Sequence, residues 1–223
     1  MALMENKDHK RLVLPKLYVI LDAALLATPE KDCALRLADA GVRLIQYRNK
    51  SASARRLFDS SRELAGLLSP RGVLFFVNDR PDVAVLAGAD GVHVGQEDLD
   101  VEDVRPVVGP GLRIGVSTHN LEQFKAAVAT SADYIAVGPV FSTSSKTNPD
   151  PVVGVEFLPR VRRLTPKPIV AIGGITLERA ASVLEAGADS VAVISDILGA
   201  SDPGKRAGQF IKSLEAVNHA ASR

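Results

Sequence analysis

Eight short runs rich in Val, Ile and Leu recur along the chain: LYVILD (17–22), LIQYR (44–48), LFFVND (74–79), GVHVG (91–95), RIGVST (113–118), YIAVGPV (134–140), IVAIGG (169–174) and SVAVIS (190–195). Most are nearly continuous in apolar residues rather than alternating, the pattern of parallel strands covered on both faces. Amphipathic helical patterns fill the intervals. In TLERAASVLEAG, for example, Thr176 suits an N-cap, Glu178 the first turn and Gly187 the position just past the helix. Eight strands alternating with eight helices predict one α/β domain, a closed (β/α)8 TIM barrel with its active site at the C-terminal ends of the strands.

A weak internal repeat supports the count. ADAG (38–41), AGAD (87–90), TSAD (130–133) and AGAD (186–189) precede the even-numbered strands, and proline or a Pro/Gly pair precedes the odd ones. Two strand–helix units repeated four times close at eight. The stretch 141–153, FSTSSKTNPDPVV, breaks the rhythm with Asn148, Pro149, Pro151 and a group of hydroxyls around Lys146. A long loop after the sixth strand is a candidate lid. The barrel is expected to span 15–218, between a frayed N-terminal extension, 1–14, and a short tail, 219–223.

Composition narrows the field. With 223 residues, 46% of them hydrophobic, the chain can bury one large core. The 27 basic and 26 acidic side chains leave a net charge of +1, so no diffuse field favours nucleic acid or an anionic membrane. The apolar part of the first 27 residues is broken by Pro15, Lys16 and Asp22, unlike a signal peptide, and no run approaches about 20 apolar residues. The lone Cys33 fits a reducing, cytoplasmic setting and reads as a small apolar residue of the first helix. A homo-oligomer is compatible with all of this.

The candidate chemistry lies at strand ends. In IQYRNK, alternation points Gln46 and Arg48 to one face, with Lys50 continuing that direction; an anionic ligand would satisfy them, as would an ion pair with an acid of a neighbouring strand. Asn78 and Asp79 end the third strand, and Asp98 follows the fourth. Each acid alone could cap a helix, Asp79 before Pro81 and Asp98 before DVEDVRPVV. Together, beside the cations, they favour a hard metal ion such as Mg2+ bound with a diphosphate. Gly173 and Gly174 after the seventh strand and Ser195 at the end of the eighth occupy the loops where barrels often bind phosphate, although glycines there can simply make a turn. Ser117 faces the same end. His93 reads as a satisfied interior histidine, and His119 either touches ligand or caps the next helix. The Arg55, Arg56, Arg62 and Arg160, Arg162, Arg163 groups read as solvated helix surface. The residues alone thus predict a barrel joining a diphosphate substrate to a phosphorylated one.

Taken in order, LYVILD, QYRNK, NDRPDVAVLAGADGVHVGQEDL, IGVSTH, ADYIAVGPVFSTSSK, VAIGGI and ADSVAVIS resemble the thiamine-phosphate synthase family over nearly the whole chain. The resemblance implies a transferase of thiamine biosynthesis. Such enzymes condense 4-amino-2-methyl-5-pyrimidinylmethyl diphosphate with a (carboxy)thiazole ethyl phosphate, giving thiamine monophosphate and pyrophosphate by a dissociative, Mg-assisted displacement. It further implies that Gln46, Arg48, Lys50, Asn78, Ser117 and Lys146 hold the pyrimidine diphosphate, with Arg48, Lys50, Lys146 and Ser117 catalytic. Asp79 and Asp98 are implied as ligands of one Mg2+ per subunit, and Thr143, Ser144, Ser145, Gly174, Ile194 and Ser195 as the thiazole-phosphate site. Ser145 departs from a more familiar threonine, and Asp196 from a small residue. The alternative is a thiazole tautomerase-like or regulatory relative without synthase activity.

Overall fold

Residues 12–143 and 150–217 are described by a computed structural model. Eight parallel strands form a closed barrel in sequence order: β1 (Leu17–Asp22), β2 (Leu44–Arg48), β3 (Leu74–Asn78), β4 (Gly91–Val94), β5 (Arg113–Thr118), β6 (Tyr134–Val137), β7 (Ile169–Ile172) and β8 (Ser190–Val193). Outside lie α1 (Glu30–Asp39), α2 (Ala54–Leu68), α3 (Pro81–Ala87), α4 (Val101–Val108), α5 (Leu121–Val128), α6 (Phe157–Arg162), α7 (Leu177–Glu185), α8 (Ser195–Leu198) and α9 (Pro203–Glu215). The predicted (β/α)8 barrel is therefore correct.

β1, β2 and β5 match the sequence reading at both ends, and the other five strands end one to three residues earlier. Asp79 leaves β3 at φ 62°, and Gly173 and Gly174 leave β7 at φ 100° and 61°. Pro139, which has no N–H to give a ladder, stops β6 short of the predicted 140.

Two cores follow from strand parity. Leu17, Val19, Leu21, Ile45, Tyr47, Phe75 and Val77 pack outward with the helices. Tyr18, Ile20, Leu44, Phe76, Tyr134, Ala136, Val170 and Ala192 fill the barrel. Tyr18, Phe76 and Tyr134 meet edge to face there, with centroids 5.7–6.1 Å apart. Tyr134 can cross the interior because β5 carries Gly115, where a Cβ would lie 2.0 Å from its ring. Leu14, expected to be frayed, is buried in this inner core.

The repeat has a physical basis in three of its four units. Asp90, Asp133 and Asp189 precede β4, β6 and β8, and their carboxylates accept the backbone N–H groups of Phe75, Ile114 and Ile169 on the preceding odd strands. Arg105 and Arg162 pair with Asp133 and Asp189 and donate to nearby carbonyls. Arg162 is thus a half-buried clamp on the barrel floor and not the solvated residue expected of it. Asp39 of the first unit stands at a different position and is exposed.

Candidate active site

The same parity that builds the inner core carries Asp22, Gln46, Arg48, Asn78 and Ser117 to the mouth at the carboxyl ends of β1, β2, β3 and β5. Arg48 has a charged partner: it pairs with Asp22, its register neighbour on β1. The structural ion pair weighed for Arg48 is therefore present. Asp22, which the sequence reading passed over, is buried and also accepts the Ala24 N–H. Gln46 is buried too, and its Nε2 donates to the Tyr18 hydroxyl over 2.8 Å.

Neither acid is a helix cap. The residue capping α3 is Arg80 and that capping α4 is Asp100. Asp79 lies instead 3.2 Å from Lys50 Nζ, and its carboxyl is within hydrogen-bonding reach of Asp98. Asp98 is fixed by the Gly95 N–H at 2.7 Å, which folds the loop after β4 back on itself. Burial is the largest influence raising the Asp79 carboxyl above the usual range; Asp98 adds to it and Lys50 opposes it. Two hard oxygen donors pressed together suit a Mg2+ ion that takes its other ligands from water and phosphate oxygens. Among the described residues no group of three or more His, Cys, Asp and Glu that could hold a metal ion forms.

Across the mouth, a pocket is lined by Ser117, His119, Pro139, Thr143, Asp150, Gly173, Gly174, Ile194 and Ser195, among others. A Cβ on Gly174 would meet Ser142 O at 2.3 Å, and one on Gly173 would meet Pro139 Cα at 2.5 Å, so both positions need glycine for close approach as well as for φ. Arg179 braces this wall by donating to the Gly174 carbonyl and stacking 4.7 Å from the Phe141 ring centroid. His119 does not cap the next helix, a task taken by Asn120. Its Nδ1 donates to Gly138 O over 2.6 Å, and its Nε2 lies 3.5 Å from Asp150. Asp196 turns away: it pairs with Arg206 and accepts the Leu177 N–H. His93 is interior and bonded at both ring nitrogens, as expected. Ser144, Ser145 and Lys146, with the rest of 144–149 in the candidate lid, lie outside the described residues.

Missed by the sequence reading were Asp22, Tyr18, Tyr134, Arg179 and Asp150. A glycine inside the fifth strand run was the available signal for Tyr134, since an interior glycine marks close approach by another group.

Fold and mouth together define the class: a (β/α)8 barrel with a carboxylate and cation cluster facing a glycine-walled pocket. The family model described as thiamine monophosphate synthase matches residues 17–197. A thiamine-phosphate synthase of Koribacter versatilis (strain Ellin345) is 51% identical over 211 residues, covering 92% of this chain and 98% of that one. A second, from Myxococcus xanthus (strain DK1622), is 43% identical and covers 89% of this chain and 91% of its own. The solved thiamine phosphate pyrophosphorylase of Pyrococcus furiosus superposes with a TM-score of 0.83 at 38% identity, over 91% of this chain and 96% of that one. The chain belongs to the thiamine monophosphate synthase family and is a transferase.

Proposed function

We propose that the protein joins 4-amino-2-methyl-5-pyrimidinylmethyl diphosphate to a thiazole ethyl phosphate, releasing pyrophosphate and thiamine monophosphate. The observation that carries this reading is the Asp79–Asp98 pair beside Lys50, on the strand ends next to Arg48. Asp79 and Asp98 would hold one Mg2+. When bound, this ion supplies positive charge opposite the departing pyrophosphate.

The residues of the chain do the rest. Arg48 and Lys50 orient the diphosphate and stabilise the charge that grows on it as the methylene carbon–oxygen bond breaks. The family resemblance adds Lys146, which lies outside the described residues, to this role. The electron-rich aminopyrimidine delocalises the positive charge on its methylene carbon, which favours dissociative displacement. The thiazole nitrogen then forms the new bond with its lone pair and has no proton to lose, so no general base is needed. The pocket walled by Gly173, Gly174, Thr143, Ile194 and Ser195 would take the thiazole phosphate, where the bare glycine backbone after β7 lets an anion approach closely. Bringing the two substrates together at one mouth converts a bimolecular reaction into a local one.

The test is incubation of the purified chain with both substrates and Mg2+, followed by mass detection of thiamine monophosphate. Product formation supports the reading. Folded protein that binds thiazole phosphate and makes no product would assign it to a relative without synthase activity.

A further inference from the structure

A continuous chain of side-chain hydrogen bonds crosses the barrel interior beneath the mouth. Gln46 Nε2 donates to the Tyr18 hydroxyl over 2.8 Å, and the Tyr18 and Tyr134 hydroxyls lie 3.1 Å apart. Tyr134 is 2.9 Å from His93 Nδ1, and His93 Nε2 is 2.9 Å from Ser117 Oγ. Ser117 opens onto the pocket. Gln46, Tyr18 and Tyr134 are 2%, 1% and 0% exposed, so bulk water does not replace the links among these three.

Such a chain has a direction. Burial raises both phenols well above their usual range, so each keeps its single proton. The Tyr18 oxygen already accepts from the Gln46 amide, so its own O–H donates to the Tyr134 oxygen. The Tyr134 O–H in turn donates to His93 Nδ1. An imidazole that accepts at Nδ1 carries its proton at Nε2, where it donates to Ser117 Oγ. Among these five residues, this arrangement gives every buried donor an acceptor. It leaves the Ser117 hydroxyl proton free to turn toward the pocket. With the Gln46 amide turned over, every link would reverse, and Ser117 would present only lone pairs there.

The distinction matters because diphosphate oxygens accept hydrogen bonds and do not donate them. We propose that His93 and Tyr134 are positioning residues that lock Ser117 as a hydrogen-bond donor to the bound diphosphate. The inference rests on the diphosphate reading of this end of the mouth. Neither residue touches the reacting atoms; both act through Ser117.

The direction is tested first by the ring-nitrogen resonances of the 15N-labelled full chain, with His93 assigned from a His93→Gln spectrum. The expected pattern is a protonated Nε2 and a bare Nδ1; the reverse pattern overturns the lock. Calorimetric titration with pyrophosphate and Mg2+ tests the consequence. Tyr134→Phe is expected to weaken binding about tenfold, the loss of roughly one hydrogen bond to a charged group. His93→Gln, whose amide can stand where Nε2 stood, should retain more affinity than His93→Leu. In a Ser117→Ala background, Tyr134→Phe should have no further effect. Additive losses in that background would mark Tyr134 as merely structural and overturn the proposal. Wild-type protein that binds pyrophosphate and makes no thiamine monophosphate would sink the synthase reading while leaving the lock standing.

Discussion

The Arg48 guanidinium is ion-paired with the carboxylate of Asp22, its register partner on the adjacent strand, at the barrel mouth. Asp22 is 4% exposed and is held from the other side by the Ala24 N–H. The pair gives Arg48 a structural partner and leaves further N–H groups of its planar fork for an anion. Removing the arginine alone strands a buried carboxylate, at a cost of about 1–3 kcal/mol. Arg48→Ala should therefore lower both melting temperature and turnover. The double variant Asp22→Ala/Arg48→Ala should recover melting temperature without recovering turnover, and parallel calorimetry and kinetics would separate the two roles. Recovery of both would reduce Arg48 to a structural residue.

Asp79 is the one non-glycine residue with positive φ among the described residues, and its carboxyl is pushed up by burial and by Asp98. Asparagine tolerates the left-handed region and removes the charge that faces Asp98. Asp79→Asn should raise the melting temperature in metal-free buffer and lower turnover at least about 100-fold. Mg2+ with pyrophosphate should stabilise the wild type and not the variant in thermal scans. Turnover close to wild type would remove Asp79 from the metal site.

Gly174 sits at φ 61° with Ser142 O in the place of a Cβ, whereas Gly88, at φ 72°, has open space around it. Alanine at either position carries a backbone cost of about 1–2 kcal/mol. Only Gly174→Ala should also raise KM for the thiazole phosphate, by about tenfold if one anion contact of roughly 1.4 kcal/mol is lost. Equal KM effects of the two substitutions would separate the glycine wall from thiazole-phosphate binding.

Burial on α1 pushes the Cys33 thiol up to about 11. Its folded value exceeds the unfolded value of about 8.5, so its stabilising contribution is complete below the unfolded value and is lost as pH rises through the folded one. Native protein at about pH 8 should resist thiol reagents. The stability advantage of wild type over Cys33→Ser should shrink between about pH 8 and pH 10, read from denaturant midpoints. Fast labelling of native protein at the lower pH would contradict the buried placement.

The barrel was legible because doubly covered parallel strands are nearly continuous in apolar residues, and eight such runs are hard to arrange otherwise. Their ends were less so, since the break after β3 depends on the backbone of Asp79 and not on a proline or glycine. Parity along β2 correctly placed Gln46 and Arg48 on the inner face, yet it could not say which neighbour would meet them. Asp22 closes a run that otherwise reads as core, and its pairing depends on the β1–β2 register, which sequence alone does not fix. The Arg162 misreading has the same origin: its partner Asp189 is 27 residues away and becomes a neighbour only when β7 and β8 pair.

The measurement that bears most directly on the account is pyrophosphate release by the purified chain, followed in the complete mixture and with each component left out. Release that needs the pyrimidine diphosphate, the thiazole phosphate and Mg2+ together, and that matches thiamine monophosphate formed mole for mole, is the predicted result. No release from folded protein in the complete mixture, or release unchanged when the metal is chelated, would contradict it.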